Sequence, residues 1–438
     1  MQSWSSPSVP ALPPGGSPPR IRDTTTGELT QPVEGKEARI YVCGITPYDS
    51  THLGHAATYI TFDTLVRAWR DAGLQVDYVQ NVTDIDDPLL ERADQIGVDW
   101  ADLAREQVAR YADDMQALRV LAPSTFIGVV ETVDQIAAAA AQMLASGAAY
   151  PVQPQDQTAE GPDIYADLAA DAAAGTVGRL DEATMDRFFA ERGGDPEAPG
   201  KKHHRDALLW RAARPGEPSF DGGSLGRGRP GWHIECAVIA QHYLGVPFHV
   251  QGGGTDLIYP HHEMSISHLR MLTGESEPAA AFVHTGMVGY QGEKMSKSLG
   301  NLVFVSDLRN QGVSPAVIRL TVLAHHYSQD WEYTDEVLHA ARQRLDRWRT
   351  AFQQAGAPAS PGGSKTEADG ERADRPGGGS AVVARIRQAL GNDLDTPAAL
   401  AAVDEWATAP GAATEAAGVA DAVDALLGVD LREAPRGD

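Results

Sequence analysis

Cysteine is almost absent from this chain, which contains only Cys43 and Cys236 among its 438 residues. Two thiols allow one disulfide at most, which excludes the small secreted domains that depend on a disulfide framework. Thiols stay reduced in the cytosol, and both cysteines stand beside other polar, site-like residues. We therefore interpret both as candidate metal ligands rather than as a cross-link.

The chain also lacks long apolar segments and an excess of positive charge. No apolar run approaches the ~18 residues that a membrane span needs. The N-terminal segment has no charged start followed by an apolar core, so we expect no signal peptide and a cytoplasmic protein. The formal net charge of -24 disfavours a partner bound along a phosphate backbone, because such contacts need clustered lysine and arginine, although a local basic groove stays compatible with it.

Apolar periodicity predicts an α/β fold built on a doubly wound parallel sheet of the Rossmann type. A strand over 38–42, a helix over 56–70 and a strand over 75–82 follow one another as a right-handed βαβ unit. The predicted segments are a flexible N-terminal arm over 1–20, the first half of the sheet domain over 21–110, a mainly helical insertion over 111–205, the second half of the sheet domain over 206–305, a helical domain over 306–354, a low-complexity linker over 355–380 and C-terminal helices over 381–438.

The first strand of this unit leads into the stretch Cys43-Gly-Ile-Thr-Pro-Tyr-Asp-Ser-Thr-His-Leu-Gly-His55. A strand that loops through glycine and proline into a helix presents free backbone N–H groups at the helix start, where the helix dipole favours anions. His52 and His55 are three residues apart, so both lie on one face of that helix start and can donate to phosphate oxygens. Taken alone, such a histidine pair is more often a surface or capping feature.

A second candidate phosphate-binding element lies far downstream, in Gly292-Glu-Lys-Met-Ser-Lys-Ser298. Lys294 and Lys297 stand three residues apart in this loop, within a chain whose net charge is negative. A solvated basic loop is the ordinary interpretation. Two lysines placed in this way nevertheless favour an anionic partner.

Potential metal ligands meet at the predicted carboxyl edge of the sheet. Cys43 ends the first strand, while Cys236 and His261 stand in Gly231-Trp-His-Ile-Glu-Cys236 and Pro260-His-His-Glu263. A buried thiol or a core histidine explains any one of them, but three at one edge favour a metal site with one open tetrahedral position. A centre with two thiolates suits a soft ligand such as the thiolate of free cysteine.

Two strand ends carry further polar residues. In Gly252-Gly-Gly-Thr-Asp256 the glycines allow the backbone to lie against a purine or ribose, and Asp256 can accept from ribose hydroxyls. The acidic residues Asp84, Asp86 and Asp87 could hold Mg²⁺, but we favour a helix N-cap because proline and an apolar helical pattern follow directly.

Taken together, His-Leu-Gly-His at 52–55 and Lys-Met-Ser-Lys-Ser at 294–298 closely resemble the two signature motifs of class I aminoacyl-tRNA synthetases. The motifs around Cys43, Cys236, Asp256 and His261 extend the resemblance to cysteinyl-tRNA synthetases and their relatives. It covers about residues 38–335 and continues weakly over 392–400. The resemblance implies a class I synthetase-like fold, with a helical insertion, a stem-contact-like helical domain over 306–354 and further C-terminal helices.

By this resemblance the chain would clamp Mg·ATP while a cysteine carboxylate attacks the α-phosphate. The residues implied to stabilise charge on the phosphates are His52, His55, Lys294 and Lys297. The implied ligands of one zinc ion per chain are Cys43, Cys236 and His261. The residues implied to bind cysteinyl-adenylate are Cys43, Gly44, Ile45, Thr46, Thr58, Asn81, Val82, Thr83, Trp232, Gly254, Thr255, Asp256 and Val288.

The chain also departs from the synthetases. Cysteinyl-tRNA synthetases show a glutamate four residues after the zinc histidine, where this chain has Ser265. The C-terminal region leaves little room for a separate anticodon-binding module. The segments 45–49, 52–57 and 191–196 instead resemble the mycothiol cysteine ligases, a family that is similar to the synthetases but passes activated cysteine to an amino sugar.

This resemblance implies a two-step, AMP-forming ligase that joins L-cysteine to the amine of glucosaminyl-inositol (GlcN-Ins). We expect a monomer that binds these small molecules and ATP, but neither nucleic acid nor membrane. A compact cysteinyl-tRNA synthetase is the alternative enzyme, and it predicts salt-dependent binding of tRNA. A non-catalytic zinc or nucleotide sensor is the alternative of another class, which the intact histidines and lysines disfavour.

Overall fold

The computed structural model describes residues 1–295, 300–356 and 378–433 of the chain. Its strands are, in chain order, β1 (Ile21–Arg22), β2 (Leu29–Thr30), β3 (Glu37–Ile45), β4 (Gln75–Val82), β5 (Thr125–Gly128), β6 (Ala149–Val152), β7 (Asp163–Ala166), β8 (Leu208–Ala212), β9 (Phe220–Asp221), β10 (Arg227–Pro230), β11 (Phe248–Gly254), β12 (Ala279–Thr285), β13 (Val288–Tyr290), β14 (Glu293–Lys294) and β15 (Trp331–Tyr333). Its α-helices are α1 (Leu53–Asp71), α2 (Asp87–Ile96), α3 (Trp100–Ala117), α4 (Val133–Ser146), α5 (Glu182–Glu191), α6 (Trp232–Leu244), α7 (Glu263–Thr273), α8 (Val305–Asn310), α9 (Pro315–Leu323), α10 (Asp335–Gln354), α11 (Gly378–Gly391), α12 (Thr396–Thr408) and α13 (Ala413–Leu427).

A parallel sheet with strand order β12-β11-β3-β4-β5 forms the centre of the described chain. Successive residues of β3 point to opposite faces, so that Ile40 and Val42 join one apolar cluster while Tyr41 joins another. Both faces are therefore buried, as expected of a parallel sheet covered by helices. Helix α1 connects β3 to β4, which confirms the predicted βαβ unit.

The region predicted as a mainly helical insertion over 111–205 contains the end of α3, then α4 and α5, together with three short strands. Residues 125–128 form β5, the edge strand of the parallel sheet. Strands β6 and β7 join a second, antiparallel sheet with order β6-β7-β8-β10-β9. Helices α4 and α5 give the region its helical part, while β5 and β7 went unrecognised because they pair with β4 and β8 across long stretches of chain, which local periodicity does not reveal.

The loop with the two lysines begins in a small sheet of order β14-β13-β15. Lys294 ends β14, opposite Gly289 of β13. Lys297 lies outside the described residues. After the loop, the backbone pairs with the start of α1: Leu53 N–H donates to Val303 O (2.9 Å) and Val305 N–H donates to Thr51 O (2.9 Å).

The N-terminal arm is packed at Trp4, contrary to the expectation of a flexible segment over 1–20. The Trp4 side chain is only 6% exposed. Its indole N–H donates to Val120 O (2.7 Å), and its ring packs edge-on against Tyr111 with centroids 5.6 Å apart. The large aromatic surface explains the order, because burying it offsets the entropy lost by the arm.

The C-terminal helices pack on α1 around a buried ionic cluster. Asp63 and Arg67 stand one turn apart on α1, and Arg67 Nε donates to Asp63 Oδ2 (2.8 Å). Arg319 of α9 also contacts Asp63 and donates from Nε to Leu427 O (2.5 Å). Burial alone would raise the pKa of Asp63, but Arg319 and Arg67 outweigh it and hold the pKa below its usual value. The cluster thus joins three parts of the chain.

None of the helices in the described part of the chain combines the length and the apolar character that a membrane span requires.

Replacing Asp63 with alanine should strongly destabilise the protein, because two buried guanidinium groups would lose their shared carboxylate. Breaking a buried ion pair in this way typically costs about 3–5 kcal/mol. Urea denaturation followed by circular dichroism measures the change. The matched control is Arg105→Ala, which removes an exposed ion pair with Asp102 and should leave the transition within error. Equal transitions for the two variants would contradict a structural role for the cluster.

Candidate functional site

A close contact between β3 and β4 sets the carboxyl edge of the sheet. The Gly44 N–H donates to Asn81 Oδ1 (2.9 Å), and a Cβ at Gly44 would lie 1.5 Å from the Asn81 carbonyl oxygen. Asn81 Nδ2 donates to the Thr83 hydroxyl (3.2 Å), and Thr83 N–H donates to Ile45 O (2.9 Å). These bonds hold the two strand ends side by side, so Gly44, Ile45, Asn81 and Thr83 share one small region.

The two thiols and His261 converge beside this contact. Their ligand atoms all lie within 4.8 Å of one another. Cys43 Sγ is 3.8 Å from Cys236 Sγ, and Cys236 Sγ is 3.1 Å from His261 Nε2. Both cysteines are free and all three side chains are buried. Burial raises the pKa of the Cys43 thiol, so a bound cation would be needed to hold that group as a thiolate.

The surroundings of His261 fix its orientation. Its ring stacks on Trp232, with centroids 4.3 Å apart and an interplanar angle of 24°. Its Nδ1 lies 3.1 Å from Nδ1 of His233, which leaves Nε2 facing the thiols. Ser265, at the position where synthetases have glutamate, donates from its hydroxyl to His261 O (2.7 Å) and lies close to His233 O (3.0 Å). The hydroxyl of Ser265 is therefore bound to backbone carbonyl oxygens.

The two motif histidines stand at the start of α1. His52 is the N-cap residue, and its Nδ1 accepts from the Gly54 N–H (3.1 Å). The His52 and His55 rings stack with centroids 3.8 Å apart. Burial lowers the pKa of His55 to about 4, although Asp256 and Asp49 act in the opposite direction. His55 is thus neutral at pH 7, and an arriving phosphate would favour its charged form.

The predicted adenosine side lies at the end of β11 and beyond. Gly254 ends β11, Thr255 and Asp256 follow in a short 3₁₀ turn, and Arg192 donates from Nη1 to Asp256 O (2.7 Å). Across the same edge, the Thr58 hydroxyl lies 2.9 Å from the Thr285 hydroxyl. Val288 is buried at the start of β13. Thr46 directly follows β3, and Val82 is the last residue of β4.

Sequence reasoning missed several contributors to this region. His262 Nε2 lies 3.1 Å from Cys43 Sγ, although the prediction used only the first histidine of the His-His pair. The Glu263 carboxylate accepts backbone N–H groups of residues 175–178, including that of Gly175 (2.8 Å), and so fixes a loop beside the site. The doubled histidine followed by glutamate was the available signal.

One residue of the acidic run after β4 caps the following helix, as we favoured. Asp86 is the N-cap of α2, and its carboxylate accepts from the Asp87 N–H (2.9 Å). Asp84 accepts instead from the Val130 N–H (3.0 Å). The capping interpretation therefore holds for Asp86, whereas Asp84 ties the end of β4 to the backbone beyond β5.

Known proteins resemble this chain over most of its length. Residues 29–343 match the family model described as "tRNA synthetases class I (C) catalytic domain". A relative from Cellulomonas flavigena is 55% identical over 437 residues, covering 98% of this chain and all of the relative, and bears the name L-cysteine:1D-myo-inositol 2-amino-2-deoxy-alpha-D-glucopyranoside ligase. The chain belongs to this ligase family. A relative of the same name from Streptomyces coelicolor is 55% identical over 436 residues, again covering 98% of this chain and all of the relative.

Solved structures place the ligase family within the class I synthetase fold. Mycobacterium tuberculosis methionyl-tRNA synthetase in complex with methionyl-adenylate aligns with a TM-score of 0.57 at 16% identity, over 90% of each chain. The leucyl enzyme of Agrobacterium radiobacter K84, in a ternary complex, aligns with a TM-score of 0.61 at 14% identity, over 91% of this chain and 84% of that one. The predicted fold class is thereby confirmed.

Gly44→Ala should abolish ordered pairing at the edge of the sheet, because the new Cβ would collide with the backbone of β4. We expect loss of cysteine-dependent ATP–pyrophosphate exchange together with a lower melting temperature. The control is Gly161→Ala, since no atom lies within 4 Å of a Cβ added there and its φ is not positive. Activity retained in Gly44→Ala would show that the two strands can separate without harm.

Stability should fall as the pH drops below about 6.5. Burial is the largest cause that lowers the pKa of His55 to about 4, of His268 and His284 to about 3, and of His233 and His262 well below the usual value. The unfolded chain therefore takes up protons first, and the free energy of unfolding decreases by about 1.4 kcal/mol per pH unit for each such histidine.

Urea denaturation between pH 7 and pH 5 measures this slope. In His268→Leu the dependence of the free energy of unfolding on pH should be weaker by the contribution of one histidine, about 1.4 kcal/mol per pH unit. Both ring nitrogens of His268 are buried without a hydrogen-bond partner. In the exposed control, His242→Gln, the slope should be that of the unmodified protein. A pH dependence unaffected by His268→Leu would contradict the lowered pKa of His268 in the folded protein.

Proposed function

We propose that this protein is an ATP-dependent ligase that joins L-cysteine to the amine of GlcN-Ins, with release of AMP and pyrophosphate. The observation that carries the proposal is the convergence of Cys43, Cys236 and His261 beside the two motif histidines. A thiol-binding centre next to a phosphate-binding helix start suits the activation of a thiol-containing amino acid. The name shared by the full-length relatives supplies the amino-sugar acceptor.

The donor set fits zinc, which we propose as the resident metal. Two thiols and an imidazole, all buried and within 4.8 Å of one another, are a typical set of three protein ligands for a zinc ion with one position left for a substrate. When bound, zinc would lower the pKa of the substrate thiol and hold it as a thiolate. Serine would be rejected, because its hydroxyl is much harder to deprotonate.

In the first step the cysteine carboxylate attacks the α-phosphate of Mg·ATP, giving cysteinyl-adenylate and pyrophosphate. His52 and His55 would donate to the phosphates at the start of α1, and Lys294 and Lys297 would approach them from the loop. Asn81 and Thr83 hold the ends of β3 and β4 together. These strand ends, with Thr46 and Trp232, would line the aminoacyl part of the adenylate. Gly254, Thr255, Asp256 and Val288 would lie along the adenosine.

In the second step the amine of GlcN-Ins attacks the carbonyl carbon of the adenylate. The C–N amide bond forms as the bond from that carbon to the phosphate oxygen breaks, and AMP leaves. The attacking amine must be uncharged, so its proton has to be removed before or during the attack.

We further propose that the enzyme works as a cytoplasmic monomer without nucleic acid. The net charge of -24 opposes binding along a phosphate backbone. In the described C-terminal region, α13 is used for packing: Arg67 of α1 donates to Asp424 O (3.0 Å) and Ala425 O (3.1 Å). This packing leaves that helix face unavailable to an RNA partner.

The test is acceptor-dependent release of AMP by the purified protein. With cysteine and ATP, we expect turnover when GlcN-Ins is added and none when tRNA is added instead, and serine should not replace cysteine. Turnover with tRNA alone would overturn the proposal in favour of a compact cysteinyl-tRNA synthetase. If neither acceptor gives AMP and pyrophosphate exchange is also absent, a non-catalytic sensor becomes the better explanation.

A further inference from the structure

A chain of buried hydrogen bonds runs from Cys43 to a hairpin near the N-terminus. Cys43 Sγ lies 3.1 Å from His262 Nε2, and His262 Nδ1 lies 2.7 Å from His284 Nε2. His284 Nδ1 lies 2.7 Å from the hydroxyl of Thr24. Three different parts of the sequence therefore contribute: the segment before α7, the end of β12 and the turn between β1 and β2.

When Cys43 is a thiolate, the donors and acceptors in this series of hydrogen bonds can be arranged in only one direction. A metal-bound thiolate only accepts, so His262 must carry its proton on Nε2 and accept at Nδ1. The partner of that Nδ1 must then donate, which places the proton of His284 on Nε2. His284 Nδ1 in turn accepts, and Thr24 is the donor that remains. Each group thus fixes the tautomer of the next.

The surroundings keep both imidazoles neutral, as this arrangement requires. His262 is 0% exposed and His284 is 4% exposed. Burial disfavours the charged form of an imidazole, and it lowers the pKa of His284 to about 3. A neutral imidazole has one N–H and one acceptor nitrogen, so the polarity of the chain depends on its two ends.

The outer end is held firmly by the backbone. Thr24 N–H donates to Phe282 O (2.8 Å), and Phe282 N–H donates to Asp23 Oδ1 (2.9 Å). The second oxygen of Asp23 accepts from the Thr26 N–H (2.9 Å), which closes the turn. The hairpin is thus docked on β12, two residues before His284, and the hydroxyl of Thr24 is positioned rather than free to rotate away.

We propose that His262, His284 and Thr24 form a positioning relay that holds Cys43 for a metal ion, with Thr24 as the remote residue that sets the tautomers. The proposal rests on the metal centre described under the proposed function, and concerns residues that do not themselves bind the ion. Hydrogen bonds to a ligating group orient it and adjust its donor strength. In the relay the N–H of His262 holds the sulfur of Cys43 in place.

The expected effects decrease along the relay. His262→Leu removes the donor to Cys43 and should weaken zinc binding about 10–100-fold, the usual range for a partner of a metal ligand. His262→Gln restores an N–H at the end of a side chain of similar reach and should recover most of the affinity. Thr24→Val keeps the shape but removes the hydroxyl, and should weaken zinc binding by about tenfold at most.

The experiment measures zinc affinity of the full-length protein by competition with a chromophoric chelator, with circular dichroism as a check of folding. The matched control is Thr25→Val, because the neighbouring Thr25 hydroxyl has no hydrogen-bond partner. Cobalt-loaded protein gives a second readout, since loss of the N–H donor should shift the thiolate-to-cobalt charge-transfer band. That shift should occur in His262→Leu and Thr24→Val, but not in Thr25→Val.

A double-mutant cycle decides whether Thr24 acts through His262. We expect Thr24→Val to lower zinc affinity in the unmodified protein and to have no further effect in His262→Leu, a clear departure from additivity. Equal losses in both backgrounds, or equal affinities of Thr24→Val and Thr25→Val, would overturn the relay. Failure of the unmodified protein to bind zinc would instead refute the proposed metal centre, so the two failures are distinguishable.

Discussion

The contact between Gly44 and the carbonyl of Asn81 is the constraint on which the rest of the site depends. It brings the carboxyl ends of β3 and β4 closer than any side chain at position 44 would permit. Cys43 precedes this glycine directly, so the same approach determines where its thiol lies relative to α6. The chemistry of the candidate centre therefore follows from backbone packing between two strands rather than from the ligands alone.

Local patterns in the sequence identified those parts of the fold that form between neighbours in the chain. Alternation and β-branched residues marked β3 and β4, and α10 begins and ends where its amphipathic pattern does. The antiparallel sheet could not be recognised in this way. Its strands β7 and β8 are short and pair across more than forty intervening residues, so their stabilisation comes from partners that no window of sequence contains.

The same distinction explains what could be predicted of the site. Residue type suggested that Cys43, Cys236 and His261 form one centre, although only Cys43 belongs to a strand of the sheet, whereas Cys236 lies in α6 and His261 in the turn before α7. The separate roles of His261 and His262 were beyond prediction. Adjacent in sequence, they point in different directions from one helical turn, so that His261 faces Cys236 while His262 faces Cys43.

The docking of the N-terminal hairpin has a consequence for how the chain can be divided. The family model covers residues 29–343, yet the turn of the hairpin precedes that range and its backbone is tied to Phe282 inside it. Asp393, which follows that range, accepts from the Arg22 N–H (2.8 Å) and the Tyr327 hydroxyl (2.7 Å). The segments before and after the matched range thus meet at Asp393. Removing the segments outside residues 29–343 would therefore expose the buried side chains of Phe282 and Tyr327.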